Sequence, residues 1–271
     1  MPAHDSGSFD LDAYLFRIGY SGERSPTFET LAAVHLAHVT TIPFENLDIF
    51  LGRPIRLDLE SLQQKLVGSR RGGYCFEHNS LLAAALEHLG FPVTRLAARV
   101  RLGAREVPPR THMLLEVKAG GRDWLADVGF GGIGPILPLE LSSPEVSRQF
   151  AWSYRLVEHP GFRILQSLQG EEWVDLYEFT PEPHYPVDFE VANHYIATHP
   201  DSKFVRTQTV QRNGRYRRLI LKHREFQEIR ANDVIVRDVD EPELPALLAT
   251  AFGIDLPQGA SLPMPRHDRE R

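Results

Sequence analysis

One cysteine serves the whole 271-residue chain, Cys75, in the segment RGGYCFEHN at 71–79. It opens a stretch whose Leu82, Ala85, Leu86 and Leu89 recur at helical spacing. A helix start carries about half a positive charge and several free N–H groups, and both favour thiolate over thiol. Cys75 could therefore be a nucleophile. It could equally be a small buried hydrophobe. Gly72 and Gly73 clear side chains just before the sulfur, so the backbone can turn and a substrate can approach. A nucleophilic thiol needs a base, and the base needs an orienting group. Twelve histidines are present, so type alone selects none. His78 shares a helical face with Cys75 and could be half a metal pair, but no second Cys or His pair accompanies it and no metal is expected. His194 and His199, five apart, read as packing or surface histidines.

The segment THMLLEVKAGGRDWLADVGFG offers a base with a partner. Two alternating runs flank Gly120-Gly121. A turn there pairs Ala119 with Arg122, and the same register sets Leu114 opposite Asp127 and His112 opposite Gly129. His112 and Asp127 then become diagonal neighbours on one hairpin face. They could be an ordinary cross-strand polar pair, and Asp123 and Glu116 on that face could supply the carboxylate instead. Asp127 is favoured because it lies in an apolar stretch, where an unpartnered carboxylate is costly. A Cys75–His112–Asp127 relay would have Asp127 fix the imidazole tautomer, His112 move protons and Cys75 carry an acyl group.

GFGGIG at 129–134 matches a dinucleotide-binding pattern formally, but Pro135 to Pro138 follow where a helix must open. A side-chain-poor loop after Asp127 could still let a phosphate or pantetheine chain pass near backbone N–H groups. Phe130 would project into that space or plug the core.

Several elements must position these residues. Leu11, Tyr14, Leu15 and Ile18 share a helical face; Ser25-Pro26 reads as the cap and first turn of a second helix; Asp58 caps a third that stops at Gly68. The middle changes period, with short β-branched and aromatic runs (VTRLAARV, HMLLEV, RDWLADV, WSYRLVE, FRILQSL, EWVDLYEF) suggesting an antiparallel sheet or barrel. A helix returns around DFEVANHYIAT, Asn213-Gly214 signals a hairpin, and Asp240 caps a last helix. From Pro257 the composition is that of a disordered end. The units expected are 1–90, 91–200 and 201–271. A net charge of −6 argues against an electrostatic nucleic-acid binder; Arg70–Arg71 and Arg215 to Arg218 read as solvated clusters. No apolar run approaches a membrane span and no secretory signal is visible, so the expected location is cytoplasmic.

Together, RGGYCFEHN, THMLL and DVGFGG, with IPFENLDI at 42–49 and NHYIATHPDSKF at 193–204, resemble the arylamine N-acetyltransferase family. The resemblance implies an α+β protein with a cysteine-protease-like core: an N-terminal helical domain, an antiparallel β-barrel and a C-terminal α/β lid. It implies ping-pong chemistry in which acetyl-CoA, as co-substrate, acetylates Cys75 and an arylamine, arylhydrazine or N-arylhydroxylamine accepts the acetyl group. By position, Phe44, Val100 and Phe130 resemble the residues lining the acyl and aryl pocket, and Gly129, Gly131 and Gly132 the loop along which CoA runs. Arg71 and Glu45 are expected to form an ion pair holding the nucleophile's turn.

Overall fold

Asp10 starts helix α1 (Leu11–Ile18) by accepting the Ala13 N–H at 2.9 Å, and Gly19 ends it at φ 70°, in the left-handed region that favours glycine. The computed structural model describes residues 9–231, 233–257, 259, 260 and 262. Helix α2 (Phe28–Thr41) is capped by Thr27, which accepts from Thr30 N at 3.2 Å. Ser25 is therefore not the cap, and Pro26 precedes the helix rather than lying in its first turn. Strand β1 (Phe44–Glu45), helix α3 (Leu47–Phe50) and helix α4 (Leu59–Leu62) follow. Asp58 caps α4 through Ser61 N, and the helical run continues as a π-turn over Gln63–Gly68. Helix α5 (Cys75–His88) runs through the core. Leu81 to Leu86 are all buried along it, so it is enclosed on every side rather than amphipathic.

Eight antiparallel strands form the second layer: β2 (Val93–Val100), β3 (Arg110–Ala119), β4 (Arg122–Ala126), β5 (Leu139–Glu140), β6 (Ser147–Gln149), β7 (Trp152–His159), β8 (Phe162–Gln169) and β9 (Glu172–Pro183). Their order is β5-β4-β3-β2-β9-β8-β7-β6, so the sheet curls until its two short edge strands approach each other. The Gln149 side chain spans that seam. Its oxygen accepts from Ile136 N and Leu137 N, and its amide donates to Leu137 O, each at 2.9 Å. The barrel is nearly closed by a side chain instead of a ladder.

Helices α6 (Pro186–Thr198) and α7 (Lys203–Arg206) lead to β10 (Thr209–Arg212), β11 (Arg217–Lys222), β12 (Glu225–Arg230) and β13 (Asp233–Asp238). Helix α8 (Leu244–Leu247), between a 3-10 turn and a π-turn, then packs on that sheet. The sheet has the order β1-β10-β11-β12-β13, so a strand from the N-terminal helical region forms its first edge. The β10–β11 connection is longer than the two-residue turn the Asn213-Gly214 signal suggests, because Asn213 is drawn away to donate to Gly131 O. Asp240 sits at the cap position, but its carboxylate takes Arg224 at 2.8 Å and makes no capping bond. The expected solvated cluster at 215–218 is also corrected at one position. Arg218 is buried, its guanidinium 3.8 Å over the Trp152 ring. Two apolar cores result, a large one shared by helices and barrel and a smaller one between the C-terminal sheet and α8. Most of the tail expected to be disordered lies outside the described residues; Leu262, within them, is buried in the smaller core. No helix among the described residues is long and apolar enough to cross a membrane.

Candidate active site

Cys75 is the first residue of α5 and is buried. Tyr74, just before it, donates its N–H to the Glu77 carboxylate at 3.0 Å, which fixes the first turn of the helix. Gly72 and Gly73 leave no room for substrate. A side chain on Gly72 would lie 1.9 Å from Pro43 O, and one on Gly73 2.6 Å from the Glu77 carboxylate. The cleared space is filled by protein, and it lets the chain turn into the helix.

Beneath the turn lies a buried ion network. Arg71 reaches Glu45 at 2.7 Å and Asp48 at 3.2 Å; Lys65 reaches Asp48 and Glu77 at 2.7 Å each. Arg71 is therefore no solvated surface residue. Burial raises the Glu77 carboxyl to about 7, against the pull of Lys65 and the Tyr74 N–H.

The β3–β4 hairpin brings up the other two members. Ala119 pairs with Arg122 and Leu115 with Ala126, after which the ladder opens. His112 Nε2 and Asp127 Oδ2 lie 2.8 Å apart, both buried. Asp123 instead pairs with Lys118 at 2.8 Å on the surface. On the other side of β3, Ala98 faces His112 while Arg99 faces Arg110, so Thr111 is the extra residue of a β-bulge. Its carbonyl, released from the ladder, accepts from Cys75 Sγ at 3.7 Å. Cys75 lies close enough to the His112 imidazole to add to what raises its affinity for a proton. The start of α5 and the β3–β4 hairpin thus bring Cys75 up to the His112–Asp127 pair.

The electrostatics suit proton transfer. Burial opposes the charged form of His112, but the Asp127 charge and hydrogen bond, with Cys75 behind them, outweigh it and raise the imidazole to about 10. Burial likewise opposes the Asp127 carboxylate, yet His112, Asn79 and the Gly129 N–H hold it below the usual range. Asn79 Nδ2 donates to Asp127 Oδ1 at 2.9 Å and to Met113 O at 2.7 Å, and Asn79 Oδ1 accepts from Val128 N at 3.1 Å. His35 Nε2 accepts from Asp127 N at 3.1 Å.

Phe130 stands edge-on to the His112 ring at 5.3 Å, and Tyr177 lies 4.9 Å from His112 and 5.3 Å from Phe130. Val100 is the cross-strand partner of Tyr177, β2 lying next to β9 in the barrel. Phe44 stacks on His78 at 6.3 Å and would meet a side chain on Gly131 at 3.1 Å. The glycine loop is tightly packed and no helix follows it. A Cβ on Gly129 would lie 2.7 Å from Cys75 Cα, and one on Gly131 2.6 Å from Gln211 Oε1. Gly132 donates its N–H to that same Gln211 oxygen. His78 faces away from the thiol, bonded to His38 at 2.9 Å and to Pro43 O at 3.1 Å. His194 is exposed, and His199 stacks on Tyr195.

Sequence reasoning passed over Asn79, His35 and Tyr177. Asn79 had a usable signal, since it lies one turn after Cys75 on the same helical face. His35 and Tyr177 reach the site only through tertiary packing, and no local pattern marks them.

A family model described as N-acetyltransferase matches residues 27–261. The arylamine N-acetyltransferase of Mycolicibacterium smegmatis is 45% identical over 209 residues, 75% of this chain and 76% of its own. That of Escherichia coli (strain K12) is 42% identical over 195 residues, 72% and 69% of the two chains. Among solved structures, the Nocardia farcinica arylamine N-acetyltransferase superposes with a TM-score of 0.88 at 44% identity, over 92% of this chain and 91% of its own. The Mycobacterium marinum enzyme in complex with CoA gives 0.86 at 37% identity, over 90% and 93%.

Proposed function

The chain belongs to the arylamine N-acetyltransferase family, and from that premise we propose that it moves an acetyl group from acetyl-CoA, through a Cys75 thioester, to the nitrogen of an arylamine, arylhydrazine or N-arylhydroxylamine. The observation that carries this reading is the meeting of Cys75, whose Sγ reaches the carbonyl of Thr111 next to His112 at 3.7 Å, with the buried pair of His112 Nε2 and Asp127 Oδ2, 2.8 Å apart. A thiol, a base and a buried carboxylate in that order are what acyl transfer through sulfur requires.

His112 takes the thiol proton, and Asp127 stabilises the imidazolium that forms. Cys75 sulfur adds to the thioester carbonyl; the tetrahedral adduct collapses, the C–S bond to CoA breaks, and His112 returns its proton to the departing sulfur. The amine nitrogen then attacks the acetyl-cysteine, His112 accepts the N–H proton, and the Cys75 thiolate leaves. Acetyl passes between two sulfurs at little thermodynamic cost and then downhill to nitrogen. An aniline nitrogen is largely unprotonated at neutral pH, so the base acts only in the transition state.

Phe130, beside the His112 and Tyr177 rings, Val100, the strand partner of Tyr177, and Phe44, beside the glycine loop, form the apolar lining proposed for the acyl and aryl groups. Gly131 and Gly132 are the stretch proposed to run alongside CoA, with Gln211 lying over it. Gly129, pressed against Cys75, serves that path by keeping the loop close to the sulfur. The test is steady-state kinetics with acetyl-CoA and an aniline varied together. Parallel double-reciprocal lines are expected; intersecting lines would mean direct transfer in a ternary complex.

A further inference from the structure

Strand β13 is the open edge of the C-terminal sheet, paired with β12 on one side and with no other strand among the described residues. Natural edges are usually shortened, charged or covered. Here three consecutive β-branched residues stand half exposed: Val234 at 55%, Ile235 at 49% and Val236 at 51%.

The register restricts what can add to this edge. Lys222 closes the β11–β12 hairpin against Glu225, so the backbone groups of 225, 227 and 229 face β11 and those of 226, 228 and 230 face β13, opposite 237, 235 and 233. The closing pair of such a hairpin exchanges hydrogen bonds, and hydrogen-bonded pairs then recur at every second residue. The backbone groups of 233, 235 and 237 thus face β12, and those of 234, 236 and 238 face outward. An added antiparallel strand must pair outward residues with outward residues. For a second copy of β13 about a twofold axis, setting Val234 opposite Val236 meets that condition. It also sets Ile235 opposite Ile235 and Asp233 opposite Arg237 on both sides of the axis. These last are non-hydrogen-bonded pairs, in which side chains come closest. The nearest other permitted registers lose the match, since Asp233 or Arg237 then faces Ile235. Arg237 is already held at the edge, 2.7 Å from Glu243 and over the Phe226 ring, and a guanidinium has donors left for a second carboxylate.

We propose that two copies of this chain associate through β13, in an isologous antiparallel pair with Asp233 of each copy against Arg237 of the other. The sequence Asp-Val-Ile-Val-Arg is self-complementary in that register. β1, which carries Phe44, lies at the opposite edge of the sheet, so pairing leaves the active site open. Five paired residues make a small interface, so the dimer is weak, with a Kd of about 10–100 µM.

Sedimentation velocity on the full chain tests this, with acetyl transfer measured on each variant as the check on folding. Wild type should pass from monomer to dimer with concentration. Ile235→Lys, which sets two lysines face to face on the axis, should weaken association at least about tenfold with transfer unchanged. Asp233→Arg and Arg237→Asp should each be monomeric alone, because like charges then meet at both ends. Mixed together, they should form a heterodimer in which both ion pairs are restored. A wild type monomeric at about 300 µM, a dimer indifferent to Ile235→Lys, or charge variants that fail to complement each other would overturn the proposal.

Discussion

Asn79 Nδ2 lies 2.9 Å from Asp127 Oδ1, so the carboxylate that faces His112 through one oxygen is anchored to the nucleophile's own helix through the other. Helix and hairpin are locked in register by that bond. Asn79→Ala leaves Val128 N without its acceptor and takes one donor each from Met113 O and from Asp127 Oδ1, which keeps only the Gly129 N–H. A stability loss of about 2–3 kcal/mol is expected by denaturant titration, with kcat/KM falling up to about 100-fold as the triad loosens. Unchanged kinetics would mean that the anchor is dispensable.

Asp127→Asn keeps the shape and removes the charge. His112 then loses what holds its imidazole high, and its titration should move down, visible by NMR of the ring and in the pH profile of kcat/KM. Transfer should drop by about 10³-fold or more. An unaltered profile would assign the carboxylate a purely structural part.

Gly129→Ala tests close packing rather than backbone freedom. The added carbon would sit 2.7 Å from both Cys75 Cα and Asn79 Nδ2. Overpacking there should cost about 1–3 kcal/mol and displace the nucleophile. Gly103→Ala, which meets no neighbour but must hold φ 70°, is the control; it should lose some stability and no activity.

Acid should weaken the fold through histidines kept neutral. Burial, outweighing their hydrogen bonds, lowers His35 and His78 to about 4, and burial, with His78, His35 and Arg17 nearby, holds His38 well below the usual value. Unfolded histidines protonate near 6.5, so between about 6.5 and 4 the unfolded state binds more protons and stability falls as pH falls. His112 runs the other way. Its folded value is raised, so its contribution is complete below about 6.5 and fades as pH climbs towards about 10. Calorimetry should show Tm lower at pH 5 than at pH 7, and a flat Tm over that range would contradict the buried neutral chain from Tyr14 through His38 to His78.

Arg71→Ala leaves Glu45 and Asp48 buried without their guanidinium. The expected cost is about 3–5 kcal/mol. Arg71→Lys should recover part of it, since an ammonium keeps the charge but lacks the planar fork of donors that the guanidinium offers Glu45 and Asp48.

The site was legible in the sequence where chemistry follows local spacing. Cys75 opens a helix, and the Gly120-Gly121 turn fixes the parity that puts His112 and Asp127 on one face. The bulge at Thr111 was not legible, because it arises from β3 pairing with β2, a contact no single strand encodes. Gly72 and Gly73 were read as space for substrate, whereas Pro43 O and Glu77, brought in by tertiary packing, occupy it. The barrel's short strands showed in their period, but the Gln149 seam did not. β1 is two residues long, so its place in the C-terminal sheet rests on partners far along the chain, Gln211 for Phe44 and Val210 for Glu45.

Incubation with acetyl-CoA alone, followed by acid quench and intact mass, addresses the central claim most directly. One acetyl adduct on the wild type, absent from Cys75→Ala and discharged faster by an aniline than by water, is the expected result. A wild type that carries no adduct, or one that water discharges as fast as any amine, would contradict it.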